Sequence, residues 1–571
     1  QELWVETEFD SDGDGRKDRM HVDVTRQRQT ETEGLKVAVI YESSPYFAGT
    51  ANDRKSLWNV NQEIGATPPP RTSQPPARFQ PVRARISNSE VTTWVPRGFA
   101  VVHSEAPGTG LSQGCIAIGG PTEEQAPKAV IDWLNGRAKG YTSLTGDTEV
   151  IATGWATGKV GMTGTSYNGT IPIAAALTGV KGLEAIIPIA PNTSYYHYYR
   201  SNGLVRHPDG WLGEDIDYLY DFVASGDPAK RDYCNKTVRD GLFARGRDRE
   251  HGDYNDFWAA RDQMNRINNV HAATLMAHAF NDFNVVPEHS VRIYEALKKR
   301  GVPVQAYYHQ GGHGGAPPLE MRNKWFSRYL YDVQNGVEKD PRAFIVREGA
   351  ERNAPPTPYA DYPNPAAKPV PVFLLSGGNS AGKLSMDHKS GQGSEALIDD
   401  VSQAGRALAQ MPRSENRLLY SSPILKTPVH MSGYSTITIR LASSKPAANL
   451  SVWLVALPFD SAGPMAVFNV ITRGWADPQN WRALTKGGNY TSMVPGEPLV
   501  PGRFYDLTFS LEPDDQIIPA GKRIGLMIMS SDRDFTLWPR PGTALTVELD
   551  RTSMELPVVG GKVALEKAFG N

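Results

Sequence analysis

Ser166 stands in the run Gly164-Thr165-Ser166-Tyr167-Asn168-Gly169, between an apolar, β-branched stretch (Lys159 to Thr163) and a small-residue helical run (Thr170 to Leu177). A serine on a tight strand-to-helix turn, with glycine on both sides, is the layout of a nucleophile elbow. Only small residues fit near such a backbone, and the turn lifts the hydroxyl to a helix N-terminus that favours developing negative charge. The usual second glycine position holds Asn168, and Gly169 comes one residue later. On this stretch alone, an ordinary strand–helix turn remains the rival reading.

A serine nucleophile needs a base within hydrogen-bond reach, and the base needs an orienting group. In α/β-hydrolases these follow in the order Ser, Asp or Glu, His, each on a loop after a strand. Asp282 lies in Ala279-Phe280-Asn281-Asp282-Phe283-Asn284, after a strand run ending near His278. His313 lies in Gln310-Gly311-Gly312-His313-Gly314-Gly315, after a strand run ending at His309. His278 and His309 belong to the strand runs and read as packed side chains. The oxyanion needs two donors. One is the N–H of Tyr167. The other is expected from the loop after Leu35 to Tyr41, where the Tyr46 phenol is a candidate and a packing tyrosine the alternative.

These residues imply the elements that hold them. Apolar runs at 35–41, 99–103, 183–189, 273–278 and 304–309 read as buried strands, with helical patterns at 288–300 and 319–333 between or after them. That alternation predicts a mostly parallel sheet covered on both faces. Residues from about 192 to 269 break the rhythm and read as a helical cap insertion, helical near 216–224 and 254–267. The Pro-rich segment 346–371 reads as a linker. Strand patterns such as 434–441, 450–455 and 523–529 predict a β-sandwich or jelly roll over 372–571. The expected fold class is therefore α/β: an α/β-hydrolase catalytic domain over 1–345 with a helical cap, plus a C-terminal all-β jelly roll.

At 571 residues the chain exceeds a single core. A net charge of −2, with no Lys/Arg block, gives no argument for nucleic acid, and no apolar run approaches a membrane span. The chain opens Gln1-Glu2-Leu3-Trp4, without a signal peptide. That fits a cytosolic protein or an exported one whose signal has been removed; we expect the second. Cys115 and Cys234 either form one disulfide, if the protein is exported, or are two buried thiols. Asp10, Asp12 and Asp14 offer carboxylates at every second position, like the first half of a calcium loop, but His21 replaces the closing glutamate. An acidic hairpin turn is the preferred reading, with no metal and no cofactor.

Together these motifs resemble the Xaa-Pro dipeptidyl-peptidase family of serine hydrolases, which also contains cocaine esterase and α-amino acid ester hydrolases. The resemblance covers the elbow with Asn168, the Pro45-Tyr46 pair, Asp282 with Asn284, His313 and the C-terminal β-domain. It extends through the cap, in Tyr198-Tyr199-Arg200-Ser201-Asn202-Gly203-Leu204-Val205, Gly213-Glu214-Asp215-Ile216-Asp217 and Gly252-Asp253-Tyr254-Asn255-Asp256-Phe257-Trp258. It implies that Tyr46 donates to the oxyanion and that Glu214 and Asn284 hold the substrate's free N-terminus. A carboxylate plus an amide oxygen gives an ammonium both charge and direction. Where the family carries a tryptophan in its proline pocket, this chain has Tyr195. The expected activity is release of X-Pro dipeptides from peptides with proline second. The alternatives are an esterase or amidase of the same superfamily and, in another class, a non-catalytic surface or carbohydrate-binding protein. The oligomeric state stays open.

Overall fold

Three strand ends have to meet for the expected chemistry, and the register of one sheet brings them together. The computed structural model describes residues 1–571 apart from 352–353, 461, 464, 486–490 and 571. In chain order the strands begin β1 (Glu2–Glu6), β2 (Arg19–Thr25), β3 (Val37–Ser44), β4 (Ala100–Glu105), β5 (Gly140–Tyr141), β6 (Glu149–Val150), β7 (Ala156–Thr165) and β8 (Leu183–Ile189). A small hairpin, β9 (Arg200–Ser201) with β10 (Leu204–Val205), lies in the cap. The series continues with β11 (Ala273–Ala279), β12 (Val304–His309), β13 (Ala343–Ile345) and β14 (Thr357–Tyr359).

The catalytic sheet runs β14-β13-β12-β11-β8-β7-β3-β4-β2-β1-β5-β6. Neighbours are parallel from β13 to β4 and antiparallel beyond either end. β3, β4 and β11 are buried along their whole length, as a sheet covered on both faces requires. The helices Pro121–Leu134, Tyr167–Leu177 and Glu288–Lys299 pack one face, and Leu319–Tyr331 with Trp94 packs the other. Thr165 pairs with Ile189, Ile189 with Ala277, and Ala279 with His309. The turns carrying Ser166, Asp282 and His313 therefore leave the same sheet edge.

The cap contains the helices Tyr195–Tyr199, Ile216–Val223, Arg231–Cys234 and Asp256–Ala259. The expected helix over 254–267 is broken in two. Asn255 caps the first turn through the Trp258 N–H, and Asp262 caps a second at Gln263–Asn269 through the Met264 N–H. Asx side chains that satisfy helix-start donors favour two short turns over one long helix. Cys115 and Cys234 form a disulfide, with Cα atoms 5.4 Å apart, that ties the cap to the loop after β4.

The C-terminal half is a mostly β domain rather than the all-β one expected: helices Gly405–Gln410 and Gly561–Phe569 join its strands, and the second adds Leu565 to a core that includes Ile437, Ile439, Leu454, Leu526 and Val547. The segment expected as a linker is instead shared between the two sheets. β14 pairs with β13, and the strand Ala367–Leu375 pairs with Ser553–Val559 along its length. Proline is tolerated because both places are edges. β14 is the last strand of its sheet, and Gly382–Ser385 joins the other side of Ala367–Leu375 only from Phe373 onward, past Pro369 and Pro371.

Candidate active site

Ser166 is held at φ 64° and ψ −125°, a conformation that side-chain-bearing residues seldom adopt and that concentrates at functional sites. Its surroundings explain the glycine spacing. A Cβ on Gly164 would collide with the Asn168 carbonyl, and one on Gly169 would lie 2.6 Å from the carbonyl oxygen of Ile189. The close approach to β8 falls at position 169, so position 168 is free to carry a side chain. Asn168 uses it to donate to Glu42 on β3 at 3.0 Å.

His313 Nδ1 meets Asp282 Oδ2 at 2.7 Å, which leaves Nε2 as the free ring nitrogen. Asp282 Oδ1 accepts the N–H groups of Asn284 (3.1 Å) and Val285 (2.9 Å), and His278 Nε2 lies 3.4 Å from Oδ2. Burial opposes the Asp282 charge. Hydrogen bonds from His278 and His313 more than offset it and hold its pKa below the ordinary carboxylate value. The histidine turn overlies the elbow: a Cβ on Gly314 would sit 3.7 Å from Thr165 Cγ2.

Tyr46 follows β3 and packs edge-on against Tyr167, ring centroids 5.9 Å apart, and against Phe222 at 6.4 Å. Burial pushes its phenol pKa up, and the charges of Glu214 and Glu123 push the same way, so it keeps its proton and can only donate to an oxyanion. Tyr167 occupies the first position of its helix, where a backbone N–H has no helical partner. Its phenol donates to Glu123. Tyr195 is fully buried beside it, 6.0 Å ring to ring, over Gly119, where any Cβ would strike the Tyr195 ring.

The cap brings a different chemistry. Glu214 is 4% exposed, and its Oε1 accepts from the Tyr199 hydroxyl at 2.8 Å. The neighbouring Asp215 takes two guanidiniums, Arg200 and Arg249, at 3.1 Å each. Among the described residues no cation pairs with Glu214, and burial raises its pKa to about 8. Asn284 Oδ1 accepts from the Tyr198 hydroxyl at 3.2 Å, and the Tyr198 and Tyr199 rings lie 4.7 Å apart. The two consecutive tyrosines thus join Glu214 to Asn284. Between Asp282 and Asn284, Phe283 packs on Trp475 and Phe535 of the β-domain, with the Arg473 guanidinium 4.1 Å over its ring.

Sequence reasoning missed the roles of Tyr198, Tyr199 and Phe283 as links. The Tyr-Tyr pair was visible, but nothing in its spacing says what each hydroxyl meets. The acidic N-terminal loop is a turn between β1 and β2. Asp10, Asp12 and Asp18 converge there, while the Lys230 ammonium of the cap reaches Asp12 and Asp14 at 3.0 Å each. The Asp10 carboxylate accepts the backbone N–H groups of Gly13 and Gly15, both at 2.8 Å.

A serine on a sheet-edge elbow, overlain by a turn whose histidine is fixed by a buried aspartate, defines the class: a serine hydrolase on an α/β-hydrolase fold. Residues 12–315 match the family described as X-Pro dipeptidyl-peptidase (S15 family), and residues 335–564 match the X-Pro dipeptidyl-peptidase C-terminal non-catalytic domain. The chain belongs to this family. A Rhodopirellula baltica protein provisionally named Xaa-Pro dipeptidyl-peptidase is 57% identical over 568 residues, covering 99% of this chain and 89% of that protein. The Xaa-Pro dipeptidyl-peptidase of Lacticaseibacillus rhamnosus is 30% identical over 614 residues, covering 97% and 76%. Among solved structures, an α-amino acid ester hydrolase superposes with a TM-score of 0.66 at 16% identity, covering 98% of this chain and 96% of its own. A CocE/NonD family hydrolase from Staphylococcus aureus superposes with a TM-score of 0.65 at 13% identity and the same coverage. At those identities the superpositions establish the fold.

Proposed function

We propose that this chain is a serine exopeptidase that removes X-Pro dipeptides from peptide N-termini through an acyl-enzyme. His313 Nε2 takes the proton of Ser166, whose oxygen attacks the carbonyl carbon after proline. Asp282 orients the imidazole and stabilises its charge. The Tyr167 N–H and the Tyr46 hydroxyl receive the oxyanion. His313 passes its proton to the leaving amine, and water, activated by the same histidine, releases the dipeptide.

The observation that carries the reading is Glu214, a buried carboxylate answered by a phenol rather than a cation. Burial without a paired cation is what raises its pKa, and a substrate ammonium would supply the countercharge that lets it ionise. Asn284, linked through Tyr198, adds a carbonyl acceptor for a second N–H. Counting two residues from a charged end makes a dipeptidyl-peptidase. The proline preference rests on the family, with Tyr195 and Tyr167 as the aromatic wall for a pyrrolidine. Export rests on the disulfide, since such bonds persist in oxidising compartments.

The test is a panel of Gly-Pro, Gly-Ala and N-acetyl-Gly-Pro nitroanilides beside a neutral nitrophenyl ester. Cleavage of Gly-Pro with rejection of the acetylated compound is expected. Equal turnover of the acetylated compound, or a preference for the ester, would return the chain to the esterase reading.

A further inference from the structure

His309, at the end of β12, grips the turn that carries His313 from both sides. Its Nδ1 accepts the Gly311 N–H at 3.1 Å, and its Nε2 lies 2.9 Å from the Gly314 carbonyl oxygen. An amide N–H can only donate and a carbonyl can only accept, so these partners fix one tautomer: a lone pair on Nδ1 and the proton on Nε2. The surrounding glycines fit the ring. A Cβ on Gly315 would collide with Nε2, and one on Gly311 would lie 2.9 Å from Nδ1. Gly312, in the same turn, has nothing within 4 Å of its Cβ position. The Gly-Gly-His-Gly-Gly run thus wraps around an imidazole.

We propose that His309 is a positioning residue for the hydrolytic reaction: its neutral Nε2–H tautomer clamps the 311–314 turn so that His313 stays between Asp282 and Ser166. The proposal rests on the triad reading of the site. The clamp sits close to the chemistry, since Gly314 overlies Thr165, the residue before the nucleophile. The turn is anchored at its start as well. Asn281 donates to the Gln310 carbonyl at 3.0 Å, and Gln310 donates to the Asp515 carbonyl of the β-domain at 2.6 Å. With its start pinned, the far side of the turn depends on the imidazole. Burial, with the nearby His278, holds the His309 pKa below the ordinary imidazole value, against the pull of the Gly314 carbonyl and of Asp282.

The test compares His309→Phe, which removes both hydrogen bonds, with His309→Asn, which keeps an acceptor near Nδ1, and His309→Gln, which keeps a donor near Nε2. For Gly-Pro nitroanilide, Phe should lower kcat by about 10- to 100-fold, the scale of a misplaced catalytic group, with KM within about twofold. Fluorophosphonate labelling of Ser166 should slow by the same factor, and Asn and Gln should retain part of the loss. Unchanged kcat in the Phe variant, or equal loss in all three, would overturn the clamp, because equal loss reports ring packing rather than hydrogen bonding. If His309→Phe does not fold, the exposed turn gives the answer. Gly311→Ala, which crowds Nδ1 at an ordinary φ, should reproduce the kcat loss and Gly312→Ala should not; full activity in Gly311→Ala would overturn the proposal. Wild-type protein that neither labels nor cleaves any ester would instead sink the hydrolase reading beneath it.

Discussion

Ser166, Asp282 and His313 each follow one of the parallel strands of a single sheet, on short turns, and two of the three turns are rich in glycine. Glu214 and Asn284 come from the cap and from the acid loop, and they are linked through Tyr199 and Tyr198, whose hydroxyls donate to them in turn. The first region is set by backbone: strand register aligns the three turns, and close approaches at Gly164 and Gly169 fix the nucleophile. The second is set by burial and aromatic packing, and among the described residues no cation pairs with its Glu214 carboxylate. The contrast separates bond-breaking, which any acyl substrate needs, from counting, which only a peptide with a free amine needs. The β-domain supports both, because Phe283 sits between the acid and the amide and packs on Trp475 and Phe535.

That division predicts different losses from different lesions. Ser166→Ala removes the nucleophile and should cut kcat by about 10⁶-fold on Gly-Pro nitroanilide and on esters alike; residual turnover within tenfold of wild type would break the division at its base. Tyr46→Phe removes one oxyanion donor and should cost about 10²–10³-fold in kcat on both substrate types, with little change in KM. A loss confined to peptides would move Tyr46 to the counting side.

Replacing both cysteines by serine opens a link spanning 119 residues and should lower stability by about 2–5 kcal/mol in denaturant titrations. Because the link holds the cap, KM for the peptide should rise more than ester turnover falls. The smallest effect is one of pH. Glu214 titrates near 8, so below that pH it carries a proton and an incoming ammonium must displace it. The peptide kcat/KM should then fall by up to about tenfold per pH unit more steeply than that of a neutral ester. Parallel acid limbs for the two substrates would blur the comparison.

Much of the backbone-set half was legible in the sequence. Strand runs separated by helices, and the order serine, acid, histidine after strand ends, need only local patterns to be seen. The departure at Asn168 was legible as a departure, but its reason was not, because the tight contact lies with Ile189 on another strand. Long-range pairings fared unevenly: two cysteines in the chain left one possible disulfide to name, whereas the ion pairs gave no such signal. The partner of Cys115 is 119 residues away, and Lys230 reaches the Asp12 carboxylate across 218 residues. The prolines of 346–371 suggested a linker because their tolerance at sheet edges depends on which strands lie beside them. His309 read as a packed strand residue, since the curl of the following turn decides what its nitrogens meet.

The central claim is that one buried carboxylate does the counting and nothing else. Glu214→Gln keeps the shape and removes the charge. Assayed on Gly-Pro nitroanilide and p-nitrophenyl acetate from one preparation, it should lose about 100-fold in peptide kcat/KM, the scale of an unpaired buried charge contact, while the ester rate stays within about twofold. Equal losses on both substrates, or no loss on the peptide, would contradict the account.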